Sequence, residues 1–407
     1  MCNGTIMDKL ISFSIPLMLS GILQLMFNAV DIVVVGRFSG SQALAAVGST
    51  TALINVFTNL FIGISLGANV LAARYYAAGK TKEMSETVHT AIALALVSGV
   101  AMAVIGVVFA RGALEIMGTP DDVIAKSTLY MRIYFCGMPF FMMYNYGAAI
   151  LRAVGDTKRP LIFLIVSGVI NAVLNLFLVI GFHLDVAGVG IATVISQLVS
   201  CILVLRCLHH TESSYQLHLA KLRIRSVYLK QIFEVGVPAG IQSTVINISN
   251  AMLQSSVNSF GSIAMAGYTA SNNIFGFLYV SVNSFTQACM SFTSQNYGVK
   301  KLKRMDRVLI DCMILSVVVT LILGSSVYIF GPELLHIYSN QADVIKYGME
   351  IFSYTTVTYF LCGLMDLFPG ALRGMGYSTV PMILSIIGTV GVRIIWIYGL
   401  FPSHRRS

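Results

Sequence analysis

The chain has 407 residues, 56% of them hydrophobic and only 11% charged, with a net charge of +9 and a mean hydropathy of +0.80. A soluble globule carries about a quarter charged residues, so this composition excludes one and points to a polytopic membrane protein. The basic residues lie in short connectors between apolar runs, which argues against a nucleic-acid partner, and the seven scattered cysteines contain no CxxC pair, which argues against a disulfide framework or a zinc site.

The N-terminus lacks a basic n-region and a small-residue cleavage site, so the run from Ile11 reads as a first membrane span rather than a signal peptide. A hydrocarbon core about 30 Å thick needs roughly 20 apolar residues in a helix. Eleven runs qualify, near 11–36, 47–73, 88–110, 129–151, 161–182, 187–207, 232–258, 263–290, 308–330, 348–371 and 379–401. Open sheet edges find no partner in lipid, so the predicted fold is all-α and polytopic.

Span 1 contains "FNAVDIVVVG", where Asp31 is the one charge between Ile11 and Gly36. Gln24, Asn28 and Asp31 are spaced i, i+4, i+7 and share a helix face. A charge at bilayer depth costs at least about 2.5–3.5 kcal/mol and marks a functional candidate. The competing reading has Asp31 in the outer third of the helix, paired with Arg37. After span 2, "GKT" (79–81) resembles a phosphate loop, but Arg74 stands where its first glycine belongs, so ATP binding is rejected. Asp121 and Asp122 follow Pro120 and read as a helix cap. Span 5 places Asn171 and Asn175 one turn apart. "GVGIAT" (188–193) lacks the third glycine and the strand context of a dinucleotide site.

In span 7, Asn247, Asn250, Gln254 and Asn258 form a polar stripe. A single buried amide is ordinary interhelical glue, worth about 0.6 kcal/mol, but stripes in both halves favour a wet cavity. Asp366 in span 10 precedes Arg373 by seven residues and either lines that cavity or pairs near the inner surface. Arg393 in span 11 faces either a further helix or a partner carboxylate. Glu234, Asp311 and Glu350 fall at span ends and read as interfacial. No His–carboxylate or metal cluster recurs, so no catalytic reading survives.

The connectors set orientation. Eighteen Lys and Arg fall on the side carrying the N-terminus and the even-to-odd connectors, against five on the other, so the N-terminus is predicted to be cytoplasmic. Self-comparison aligns "SIPLMLSGILQLMFNA" with "GVPAGIQSTVINISNA" at an offset of 222, and "LRAVGDTKRP" with "LRGMGYSTVP" at 221. Such a repeat is a transporter signature and divides the chain into lobes 1–215 (spans 1–6) and 216–407 (spans 7–11). Span 6 plus the offset falls at 408–428, and Arg405 and Arg406 sit on the side the charge rule disfavours. The expectation is a chain that lacks its twelfth helix.

With no ATP site, the energy source is an ion gradient, and a buried carboxylate supplies the coupling: it binds H⁺, Na⁺ or a cationic substrate, but not two at full strength. The sequence resembles the multidrug and toxic compound extrusion (MATE) family in "FNAVDIVVVGRFSGSQALAAVG", "ILRAVGDTKRP", "NAVLN", "GVGIAT", "GVP" and "ALRGMG", spread over essentially the whole chain. The resemblance implies twelve helices in two six-helix lobes and antiport of drugs against H⁺ or Na⁺. It implies a cation-coupling site at Asp31, Asn171 and Thr193, with Gln24, Tyr130 and Asn145 nearby and Na⁺ held, if at all, by Asp31 and Asn171. Asn175 stands where many relatives carry aspartate, and Ile246 where the NorM-like branch carries glutamate, which favours the DinF-like branch.

The combined reading assigns cation coupling to Asp31, Asn171, Asn175 and Thr193. It assigns the substrate cavity to Gln24, Asn28, Tyr130, Asn145, Asn250, Gln254 and Asp366. Amphiphilic organic cations are the predicted substrates of a monomer in the plasma (inner) membrane, with no cofactor beyond the gradient. A lipid-linked oligosaccharide flippase is the alternative transporter, though the spans offer chiefly Arg393 for a pyrophosphate. An integral-membrane enzyme would need a convergent cluster that is not found.

Overall fold

A computed structural model describes residues 1–258 and 260–400 of the chain. The apolar runs are helical throughout, and no strand occurs among the described residues. The tail with Arg405 and Arg406 lies outside them, as does the side chain of Asn258.

Helix α1 (Met7–Phe38) opens with Thr5 donating to Asp8 at 2.8 Å and ends with Arg37 in its last turn, where a cation suits the helix dipole. It is followed by α2 (Gly40–Ala77) and α3 (Thr81–Ile116). The run predicted as one span at 129–151 is two helices, α4 (Asp121–Cys136) and α5 (Met138–Ala153). They separate at Gly137 because Pro139 has no N–H to continue the ladder. Asp121 and Asp122 lie in the first turn of α4, but Pro120 is the N-cap and no side chain makes a capping hydrogen bond, so their contribution there is to the helix dipole. Helix α6 (Lys158–Leu176) runs on through a π-helical turn, Phe177–Gly181, and α7 (Asp185–His209) follows.

The second half contains α8 (Ser226–Asn258), α9 (Ser262–Gly298), α10 (Leu302–Ile329), the short α11 (Gly331–His336) and α12 (Ala342–Gly374). The last run alternates α13 (Thr379–Ser385), a π segment Ile386–Gly391, α14 (Val392–Ile395) and a second π segment, Trp396–Leu400. Among the described residues, seven helices are long and apolar enough to cross a membrane: α1, α2, α3, α6 with its π turn, α7, α10 and α12. The other predicted spans fall short of that measure for visible reasons. Gly137 and Pro139 interrupt one, amides and hydroxyls dilute α8 and α9, and π turns divide the last.

The helices gather into two compact units, Leu19–Gly240 and Met1–Met18 with the residues from Ile241 onward. The repeat boundary at 215/216 lies in the connector after α7, whereas these units divide inside α1 and α8. The two cuts are 222 residues apart, equal to the repeat offset, and each follows a proline, Pro16 or Pro238, by two residues. Packing explains the exchange. Ile6, Leu10, Phe13 and Leu17 join a core with Phe285, Phe292, Val308 and Leu367, the rings of Phe13 and Phe292 meeting edge to face at 5.6 Å. Ile232, at the start of α8, belongs instead to the large core of the Leu19–Gly240 unit.

Within that unit the start of α8 lies directly on α2. Gly63 and Gly67 face Gly236 and Gly240, and a Cβ at any of the four would collide with opposing backbone rather than with a movable side chain. "GISLG" and "GVPAG" are thus paired small-xxx-small surfaces, which allow backbone-level approach where lipid supplies no hydrophobic drive between helices. The connector leading into α8 is tied to α3: Arg223 and Arg225 both engage Glu86, and the His218 backbone N–H donates to His89 Nε2 at 3.1 Å.

Replacing Gly240→Leu should therefore force α8 off α2. A loss of about 1–3 kcal/mol is expected, in the range of core overpacking, read as a lower unfolding midpoint in detergent. Gly112→Ala, where a Cβ meets open space, should leave the midpoint unchanged.

Candidate functional site

The Leu19–Gly240 unit holds the polar cluster that the sequence singled out. Asp31 lies in the second half of α1, and Asn171 and Asn175 project one turn apart from α6. Close passage of the two helices is possible because Gly168, three residues before Asn171, has no side chain: its Cβ would occupy the space of the Phe27 ring on α1. Phe27 precedes Asp31 by one turn, so this contact sets the carboxylate against α6.

The cluster has a definite polarity. Asn175 Nδ2 donates to Asp31 Oδ1 and also to Asn171 Oδ1 at 3.1 Å, so both amide hydrogens are committed. Asn175 is fully enclosed at 0% exposure and Asn171 is at 6%. Asn175 Oδ1 is buried with no hydrogen-bond partner among the described residues. An orphaned acceptor at this depth costs about 1–3 kcal/mol if it stays dry. Asp31 forms no ion pair among the described residues, and Arg37, six residues along the helix and exposed, is not its partner. What remains is an acceptor-rich cluster: a carboxylate and an amide oxygen with no compensating cation among the described residues. That chemistry suits a proton or a small metal cation.

Tyr130 and Tyr134 on α4 stand close enough to feel the Asp31 charge, with their rings 6.1 Å apart. Tyr130 was singled out by family resemblance. Tyr134 was not, because an aromatic on a helix reads as core filling unless the carboxylate opposite it is known. The remaining candidates are placed elsewhere. Thr193 on α7 donates to the Val189 carbonyl at 2.9 Å and Asn145 on α5 to the Phe141 carbonyl at 2.8 Å, so each is satisfied within its own helix. Gln24 and Asn28 are exposed and make no hydrogen bond among the described residues.

Asn250, Gln254 and Asp366 belong to the other unit. Asn250 accepts from Arg393 Nη1 at 2.5 Å, so Arg393 faces the amide stripe of α8 rather than a carboxylate. Asp366 lies beside the Tyr279 hydroxyl and within electrostatic range of Arg373. Arg373 forms no ion pair with it among the described residues and donates instead to Gln242 at 2.5 Å.

A family model described as MatE matches residues 16–177 and 238–398. The chain is similar to the "Probable multidrug resistance protein YoeA" of Bacillus subtilis (strain 168), with 30% identity over 389 residues, 94% of this chain and 84% of that protein. It is also similar to the "Multidrug export protein MepA" of Staphylococcus aureus (strain NCTC 8325 / PS 47), at 21% identity over 97% of this chain and 88% of that protein. Among solved structures, an outward-facing multidrug resistance MATE family transporter of the MOP superfamily superposes with a TM-score of 0.91 at 20% identity, covering 97% of this chain and 89% of that one. A MOP superfamily transporter from Pyrococcus furiosus, described as having a binding pocket of reversed polarity, superposes at 0.90 with 21% identity and the same coverage. Both structures share the two-lobe helical fold.

Substituting Asn175→Leu removes the one donor that Asp31 has among the described residues. A hydrogen bond to a charged group is worth about 1.5–3 kcal/mol, so a clear drop in unfolding midpoint at neutral pH is expected. An unchanged midpoint would show that the carboxylate is satisfied by other means.

Proposed function

The chain belongs to the MatE family of membrane transporters and is not an enzyme; from that premise we propose that it exports amphiphilic organic cations by antiport against H⁺ or Na⁺. The observation that carries the reading is the unpaired carboxylate of Asp31, held by an amide whose own oxygen is orphaned. Relatives named for multidrug resistance and multidrug export support the class of cargo.

Asp31 and its two asparagines act as the coupling element. With the carboxylate ionised, Asn175 presents its N–H groups to Asp31 and Asn171. When Asp31 takes up a proton or a metal cation, the acceptor becomes a donor or is capped. The Asn175 amide then gains by turning its oxygen toward the site, since an amide offers donors on one side and an acceptor on the other. One charge on α1 thereby changes the polarity of α6. A ligand shifts a conformational equilibrium only by its differential affinity for the two states. Here that difference is an electrostatic one, between a bare and a neutralised carboxylate at bilayer depth.

Alternating access between lobes 1–215 and 216–407 completes the proposal. Drug binds from the cytoplasmic side, and the cation arriving at Asp31 from outside favours the state that releases it. The protein works as a monomer in the cell membrane with its N-terminus in the cytoplasm. It uses no cofactor beyond the gradient.

Ethidium efflux from cells energised by a proton or sodium gradient tests this reading. Asp31→Asn keeps the size of the side chain and removes its charge, and should reduce gradient-driven efflux to the level of cells without the protein. Efflux at the unaltered rate would remove Asp31 from the mechanism. The gradient whose collapse stops transport identifies the coupling ion.

A further inference from the structure

The unit that begins at Ile241 contains a charged site of the opposite sign. Arg393 lies on α14 between two π-helical segments, and such interruptions of a helix concentrate at functional positions. Its Nη1 donates to Asn250 Oδ1 at 2.5 Å and to Ser249 Oγ at 3.4 Å, both on α8. Nε and Nη2 have no partner, and Arg393 enters no ion pair, among the described residues. The neighbouring group on α12 is the Cys362 thiol, which feels the guanidinium charge.

A guanidinium on an apolar run with no ion pair among the described residues is costly and calls for a counter-charge. Two neutral oxygens satisfy one of its nitrogens and leave the rest of the planar fork open. That fork matches a carboxylate or phosphate oxygen pair. The repeat relates the two places: Asn250 corresponds to Asn28 at the offset of 222, and Arg393, at the offset of 221 that holds from Leu372 onward, corresponds to Ala172, next to Asn171. The helices that carry a carboxylate and its amides in the first half correspond to those that carry a guanidinium and its amide in the second. Cation chemistry at Asp31 therefore does not transfer to the repeat-related site.

We propose that Arg393, Asn250 and Ser249 form an anion-binding subsite that takes the carboxylate or phosphate head of an amphiphile. Asn250 and Ser249 hold the guanidinium in place through Nη1, and the free Nε and Nη2 edge receives the two oxygens of the ligand. The apolar part of the ligand lies along the exposed hydrophobic residues of the same run, among them Ile395 and Trp396.

Trp396 is the only tryptophan in the chain and sits three residues from Arg393, so it reports on this site directly. The test uses the full chain in lipid nanodiscs and three terminally brominated dodecyl probes, a carboxylate, a phosphate and a trimethylammonium, each a quencher of indole fluorescence. Saturable quenching by the carboxylate or phosphate, but not by the ammonium, is expected. Arg393→Gln should weaken that binding by about tenfold or more, the scale of a lost hydrogen bond to a charged group, and Arg393→Lys by less. Stronger binding of the phosphate assigns the subsite to lipid headgroups, and stronger binding of the carboxylate to acidic solutes; either outcome supports it. Equal quenching by the cationic and anionic probes in the unaltered protein, or undiminished affinity in Arg393→Gln, overturns it. Should Arg393→Gln fail to fold, the charge selectivity of the unaltered protein and the Arg393→Lys series still decide. This is a binding measurement at Arg393, so it stands or falls separately from efflux through Asp31.

Discussion

An acid side chain on a lipid-spanning helix survives only if something other than lipid meets it, and here that partner is a single amide. Asn175 gives both of its hydrogens away, one to Asp31 and one to Asn171, and is left with an oxygen that nothing among the described residues satisfies. Bilayers punish unsatisfied polar groups more than water does. The three residues are consequently a set that works together: altering the charge on one changes what the other two must do. This shared constraint depends on α1 and α6 being close enough to meet.

That closeness is arranged by what is missing. Gly168 makes room for Phe27, and on the other side of the same unit Gly63 and Gly67 face Gly236 and Gly240 with no side chain between the backbones. Without a hydrophobic drive between helices, tight van der Waals contact and interhelical hydrogen bonds hold a membrane bundle together. The glycines do the first and the amides the second. The proline-marked exchange of the starts of α1 and α8 extends the same packing logic: each short segment joins the core that has matching apolar surface, whichever half of the sequence it comes from.

The two halves share a helix plan and differ in charge. A carboxylate sits among asparagines in one unit, a guanidinium among amide and hydroxyl oxygens in the other. A duplicated scaffold keeps backbone positions because packing demands them, while the side chains that point at solvent or substrate are free to change sign.

The all-helical membrane fold, the repeat and the candidate carboxylate were legible from the sequence alone, because they depend on quantities written along the chain: hydropathy over about 20 residues, proline and glycine spacing, and the rarity of charge in apolar runs. The pairing of Asp31 with Asn175 rather than Arg37 was decided only by tertiary structure, since a residue six along a helix lies on the far side whereas a residue 144 positions away can be adjacent. The same holds for the break at Gly137, the meeting of "GISLG" with "GVPAG", and the attachment of Arg393 to Asn250. Local periodicity says which face of a helix is polar, but only the packing of helices against one another says what that face meets.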